Sequence, residues 1–343
     1  MDELTKRIPE VEWDMVTLRF NRTDKAYEKI GNINVYRIGG GWGYLSKIMF
    51  IPQAVFFAAR RRYDLYWAMM TYMLFPVALA RLSGLETPYV LTLQDGDTFA
   101  RVFNRFYILP FKPLLSYGFR HAARVQAISR FLAQWAKDMG ATQVEVVANG
   151  VDLKRFESVK HRMFDSTKVA LITTSRLVEK NGVGDIIEAL AYVPESVSLR
   201  ILGVGPLEKM LKEKVESLQL AGRVQFMGFV SQEEIPKYLA EADIFVRPSL
   251  SEGQGISFIE AMAVGLPVVA TPVGGIPDFI TDGETGLFCE PHEPQSIARA
   301  VMRFVEDEGL REKVVVRAEC MVRETYDWDL IAGEMRSKVF GIV

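Results

Sequence analysis

Two glutamates eight residues apart, Glu252 and Glu260, stand in the segment PSLSEGQGISFIEAMAVGLPVVATPVGGIPD (248–278), whose residue types and spacing could do chemistry. An ionised carboxylate is a pure acceptor and can take two hydroxyl donors from a diol. Eight residues of partly helical chain span up to about 12 Å at 1.5 Å per residue, so the two are not a close acid and base pair. The run 243–247 (DIFVR) is of strand type, and Ile256–Ala263 carries apolar residues at helical spacing before stopping at Gly265. A strand therefore passes through the loop 249–255 into a helix N-terminus. Free backbone N–H groups and the positive end of the helix dipole suit an anion there, such as a phosphate. Gly253 and Gly255 keep the backbone bare, with Gln254 between them and Ile256 opening the helix.

A second charged turn, SRLVEKNG (175–182), follows a strand read at 169–173 and carries Arg176 and Lys180. These features resemble the retaining glycosyltransferases of family 4, the glycosyl transferases of group 1. The likeness rests on the E-x7-E spacing of Glu252 and Glu260, on EGQG, EAMAVGLPVVAT and VGGIPD around them, and on NGVD at 149–152. It covers residues 12–340 and is strongest over 143–290. It implies the GT-B architecture, two Rossmann-like, doubly wound α/β domains facing each other across a cleft, and transfer of a sugar from a nucleotide sugar to an acceptor hydroxyl with retention.

By this resemblance Arg176, Lys180 and the helix N-terminus at Gly255 and Ile256 stabilise the leaving diphosphate without a metal. Glu252 holds sugar hydroxyls, Gly253 and Gln254 line the donor, and Glu260 holds the ribose. Two positions depart from the family pattern. Asn181 intervenes between Lys180 and Gly182, where a lysine usually precedes the glycine directly. Gln94 stands where a histidine usually follows the strand, though an amide can still hydrogen-bond a sugar hydroxyl. No cofactor is implied, the nucleotide sugar being the substrate. Two other readings stay open: a sugar-nucleotide epimerase on the same fold, and a non-catalytic nucleotide-sugar binding protein.

At 343 residues the chain exceeds one typical core, which predicts two domains. The resemblance places them at 1–150 and 151–325, with a terminal helix over about 326–343 packing back on the first. Net charge is −2, but residues 1–150 hold 19 lysines and arginines against 13 acids, and the remainder 22 against 30. The basic first half favours an anionic partner, a membrane surface or a phosphorylated or lipid-linked acceptor, and nothing points to nucleic acid. Only Cys289 and Cys320 are present, which suits a reducing cytoplasm, with contact at the inner face of the membrane. The longest apolar run, 66–80, is too short to span a bilayer and is broken by Pro76.

In chain order, the pattern predicts the tail of a helix over 1–8 and a strand over 14–20. The initial strand and glycine-bearing loop that a doubly wound domain needs are missing from this opening, so a fragment or a misplaced start is expected. A turn at Gly39, Gly40, Gly41 and Gly43 follows a strand at 35–38. Leu45–Ala59 reads as a helix kinked at Pro52 and ending in Arg60, Arg61 and Arg62, a candidate membrane-surface contact. Strands follow at 64–70 and 88–94 around a helix at 71–82. Asp95-Gly96-Asp97 reads as a turn in preference to a metal site, and His121, His161 and His292 read as surface residues at no ligand spacing. Further strands are read at 125–128 and 144–147, with a helix between them capped by Ser129 and stopped by Gly140. Those of the second half are read at 198–202, 224–226, 244–246 and 267–270, and Ser231 with Glu234 as a capping box. Gly203 and Gly205 lack the third glycine of a dinucleotide fingerprint.

Overall fold

The computed structural model describes every residue except 44, 158, 160, 342 and 343. The backbone divides into two compact units, residues 1–148 with 328–343, and residues 149–327.

In the first unit, β1 (Trp13–Leu18), β2 (Tyr27–Ile30) and β3 (Ile33–Ile38) form one sheet in the order β1-β3-β2, β3 parallel to β1 and antiparallel to β2. The parallel strands β4 (Tyr66–Met69), β5 (Tyr89–Leu93), β6 (Arg124–Ala127) and β7 (Val144–Val146) form another, in sequence order. Strand β2 is not expected from the hydrophobic pattern, because three of its four residues, YEKI, are exposed. Its pairing with β3 across Gly31, at φ +58°, creates it. Among the described residues β1 and β4 share no backbone ladder. Side chains join β1 to β4 and to the segment before it: the Trp13 and Trp67 rings meet at a tilt with centroids 5.7 Å apart, and the Asp14 carboxylate accepts from Arg61 at 2.9 Å and from Tyr63 at 2.7 Å.

Every residue of β5 is buried, as a central parallel strand requires. The helix read at 71–82 begins as a 3-10 turn, Thr71–Met73, before Leu74–Leu82. Just beyond β5, Asp95 accepts from the Thr71 hydroxyl at 2.8 Å, and burial raises its carboxyl above the ordinary value; Asp97 lies 3.8 Å from Arg101. The Ser129 hydroxyl caps the helix Arg130–Asp138 by accepting from Leu132 N–H. The last helix starts two residues later than expected. Tyr326 C=O accepts from Val151 N–H at 2.7 Å and Asp327 bridges Val151, which holds 326 and 327 outside the helix. Helix Trp328–Glu334 and the wider turn Met335–Phe340 then pack Ile331, Met335 and Val339 on Leu4, Ile8 and Val90, and the final two positions of the expected range lie outside the described residues.

The second unit holds β8 (Ala170–Thr174), β9 (Ser198–Leu202), β10 (Val224–Gly228), β11 (Ile244–Arg247), β12 (Val268–Ala270) and β13 (Leu287–Phe288). They form one parallel sheet in the order β10-β9-β8-β11-β12-β13. β13 escapes the sequence pattern because it is two residues long. The strand order reverses between β8 and β11, and in open parallel sheets ligands bind outside the carboxyl ends at such a switch point. Two local expectations fail here. Ser231 donates to the Glu234 carboxylate at 3.0 Å, and helix Ile235–Ala240 starts beyond them with no side-chain cap, so no capping box forms. His161 is half-buried, its Nε2 2.8 Å from Ala242 C=O, whereas His121 and His292 are exposed.

Candidate active site

The turn after β8 is held by glycines that let it approach its neighbour. Ser175 N–H donates to Leu202 C=O at 2.9 Å and Leu177 N–H to Val204 C=O at 3.1 Å. A Cβ on Gly203 would lie 1.9 Å from Ser175 O, and one on Gly205 2.3 Å from Leu177 O, so neither position tolerates a side chain. Leu177 is buried, and Arg176 beside it is left exposed at the apex of a rigid turn. A cavity of about 340 Å³ opens beside Arg176, walled by Thr174, Ser175, Gly203, Val204 and Phe229. The hydroxyls of Thr174 and Ser175 are buried without a partner among the described residues, which leaves them able to bond a ligand.

The same turn is fastened to the loop after β11. Gly182, at φ +65°, would place a Cβ 2.1 Å from Pro248 O, and Leu250 N–H donates to Lys180 C=O at 2.7 Å. Asn181 is buried, and its amide donates to Arg176 C=O at 2.6 Å. Its Oδ1 in turn accepts from the Arg247 guanidinium at 3.1 Å. Arg247, at the end of β11, also donates to the Ser257 hydroxyl at 2.6 Å and pairs with the Glu252 carboxylate. Burial lowers the Arg247 pKa, while the charges of Glu252 and Glu260 work in the opposite direction. The other Glu252 oxygen accepts from Gly253 N–H at 3.0 Å. Behind it, Gly275 N–H donates to Glu252 C=O at 3.1 Å, and a Cβ on Gly274 would lie 1.9 Å from that oxygen, so the glycine pair of VGGIPD is needed to seat Glu252.

Helix Ile256–Ala263 starts at Gly255, φ +91°, with no side-chain cap, so its first N–H groups remain available to a ligand. Glu260, one turn in, is mostly buried. Burial pushes its carboxyl up to about 7, against the opposing pull of Arg155 and Arg247. Because 7 lies above the ordinary 4.5, the folded chain keeps this proton while the unfolded chain loses it. Stability therefore falls as pH rises from about 4.5 to about 7, by about 3 kcal/mol in all from this group. The variant Glu260→Gln cannot titrate, so its melting temperature is expected to lose less than that of the wild type over the same window. Equal pH profiles of the two melting temperatures would show that Glu260 titrates normally.

Arg176, Lys180, Glu252, Gly253, Gly255, Ile256 and Glu260 all belong to the strand-end loops and helix at this switch point. Gln254 has a structural bond that its sequence position did not announce. Its amide accepts from Asn149 N–H at 2.7 Å and donates to Asn149 C=O at 3.0 Å, which fastens the loop to the NGVD junction. Gln94 lies in the other unit, just past β5. Sequence reasoning passed over Arg247 and Asn181. A signal for Arg247 existed: a strand as apolar as DIFVR has no need of a guanidinium beside the loop unless a carboxylate meets it there.

Residues 154–320 match the family model described as glycosyl transferases group 1, and residues 1–155 that described as glycosyltransferase family 4. The chain is 33% identical over 196 residues, 54% of this chain and 48% of the relative, to the amylovoran biosynthesis glycosyltransferase AmsK of Erwinia amylovora. It is 32% identical over 206 residues, 59% of each, to the lipopolysaccharide core biosynthesis glycosyltransferase LpsE of Rhizobium meliloti. The chain spans about half the length of the curated relatives it matches. In fold it is similar to Anabaena HepE, solved with UDP and glucose, with a TM-score of 0.77 at 24% identity over 91% of this chain and 87% of that one.

Proposed function

The chain belongs to the glycosyl transferases of group 1 and has their GT-B fold of Rossmann-like α/β domains, and from that premise we propose that it moves a sugar from a nucleotide sugar to an acceptor hydroxyl with retention of configuration. The observation that carries this reading is the switch point itself, where a cavity opens beside Arg176 at the end of β8, and the loop after the adjacent β11 carries the Arg247-held Glu252 and an uncapped helix N-terminus. The leaving diphosphate gains negative charge as the bond from the sugar's anomeric carbon to the phosphate oxygen breaks. Arg176, Lys180 and the N–H groups at Gly255 and Ile256 are the donors suited to that charge. Glu252 takes sugar hydroxyls and Glu260 the ribose. The acceptor oxygen bonds the anomeric carbon on the face that the diphosphate leaves, and its proton passes to the departing phosphate oxygen. The cationic groups make a metal unnecessary for this step. A lipid-linked or otherwise anionic acceptor suits the basic first domain.

A panel of nucleotide sugars, each with and without candidate acceptors, tests the proposal by release of the nucleoside diphosphate. Acceptor-dependent release, a product with the donor's anomeric configuration, and activity that survives EDTA are the expected results. An isomerised sugar from donor alone would establish an epimerase instead. Tight donor binding with no release for any acceptor would establish a binding protein, and loss restored by manganese would overturn the metal-free step.

A further inference from the structure

Helix Leu45–Ala59 in the first unit is unusual for a surface helix. Its exposed positions along one face are Leu45, Ile48, Met49, Pro52, Phe56 and Ala59, all apolar, with Ile48 71% exposed. These positions recur at three- and four-residue intervals, so they form a single stripe, and a stripe facing outward is expected to be polar. A second apolar group stands on the segment 104–111, where Phe106 is 84% exposed, with Tyr107 and Phe111 beside it. The two groups are connected: the Tyr72 hydroxyl donates to Lys47 C=O at 3.1 Å, and Tyr72 meets Phe75, and Phe75 meets Phe111, edge to face, each ring pair at 5.8 Å.

Charge decides what covers this face. Lys47, Arg60, Arg61, Arg62, Arg101, Arg105 and Lys112 fall in the stretches 42–62 and 101–112, which contain no aspartate or glutamate. From outside these stretches Asp14 pairs with Arg61, and Asp97 lies 3.8 Å from Arg101. A second copy of the chain would set this basic surface against itself in a twofold contact. An anionic bilayer accepts both features, the apolar side chains entering below the headgroups and the cations meeting the phosphates. Among the described residues no helix is long and apolar enough to cross a membrane.

We propose that the outward stripe of helix Leu45–Ala59 and the aromatic segment 104–111 together form a docking surface for an anionic lipid bilayer. This deepens the reading of a lipid-linked acceptor and rests on it for its biological purpose, but vesicle binding is read without turnover, so either can fail alone. The full chain is expected to sediment with phosphatidylcholine vesicles only when they contain phosphatidylglycerol, and to be released by salt. The triple variant Arg60→Gln, Arg62→Gln, Arg105→Gln is expected to weaken vesicle partitioning by about a hundredfold. Ile48→Ser with Phe106→Ser should weaken it as well, while Ile48→Leu should not, and because both residues are exposed the melting temperature should hold. No sedimentation with anionic vesicles, or sedimentation unchanged by these variants, would overturn the proposal. So would a concentration-dependent dimer that Ile48→Ser dissociates, which would make the face an interface between copies.

Discussion

Replacing Arg176 by alanine is expected to lower kcat by about 10²- to 10³-fold, the usual scale for removing one donor aimed at charge that develops in the transition state. The side chain is exposed at the apex of a turn whose neighbours, Ser175 and Leu177, are bonded to the strand-end turn at 202–204. Its position is therefore fixed by backbone that the substitution leaves alone. Truncating an exposed side chain of this kind changes stability by about 0.5 kcal/mol or less. Initial rates of nucleoside diphosphate release and a thermal melt separate the two effects. A kcat within about threefold of wild type would remove Arg176 from the leaving-group role.

Arg247→Ala is expected to cost about 3–5 kcal/mol of stability, because it leaves the Glu252 carboxylate buried with its counter-charge gone. The Ser257 hydroxyl and the Asn181 carbonyl lose a donor at the same time. In Arg247→Met with Glu252→Gln both charges disappear, and most of the stability should return while transfer activity does not. Urea unfolding of the full chain gives the first quantity and kcat with KM the second. Recovery of both stability and activity in the double variant would show that the pair is structural only. The variant Arg247→Lys preserves the charge but not the planar fork that reaches Asn181, Ser257 and Glu252 together, so its KM for the donor should rise while much of the stability is kept.

Local pattern made much of the backbone readable. Apolar runs alternating with helices at βαβ spacing located the strands of the second unit's sheet except β13, and helix Ile256–Ala263 was legible down to its ends because glycines at 255 and 265 bound it. Where pattern was silent or misleading, a distant partner had decided. β2 exists through its ladder with β3, and the break between helices at 326 and 327 is held by Val151, 175 residues before Tyr326 in the sequence. The Ser231 and Glu234 spacing was that of a capping box, yet the two side chains bonded each other and the helix began later.

The sequence by itself determined the family and the order of strand, bare loop and helix around Glu252, since these depend on neighbours in the chain and on where a side chain is forbidden. Tertiary structure decided what each polar side chain meets. Arg247 reaches Asn181, 66 positions away, and Gln254 reaches Asn149, 105 positions away, because β8 and β11 are adjacent and the loop folds back on the 149 junction. The depth of Glu260 was equally hidden: a glutamate in a helical repeat reads as solvated until the surrounding packing removes its water and raises its carboxyl to about 7. The outward apolar stripe of helix Leu45–Ala59 was hidden for the same reason, because a helix that is apolar nearly all round does not say which side the core will take.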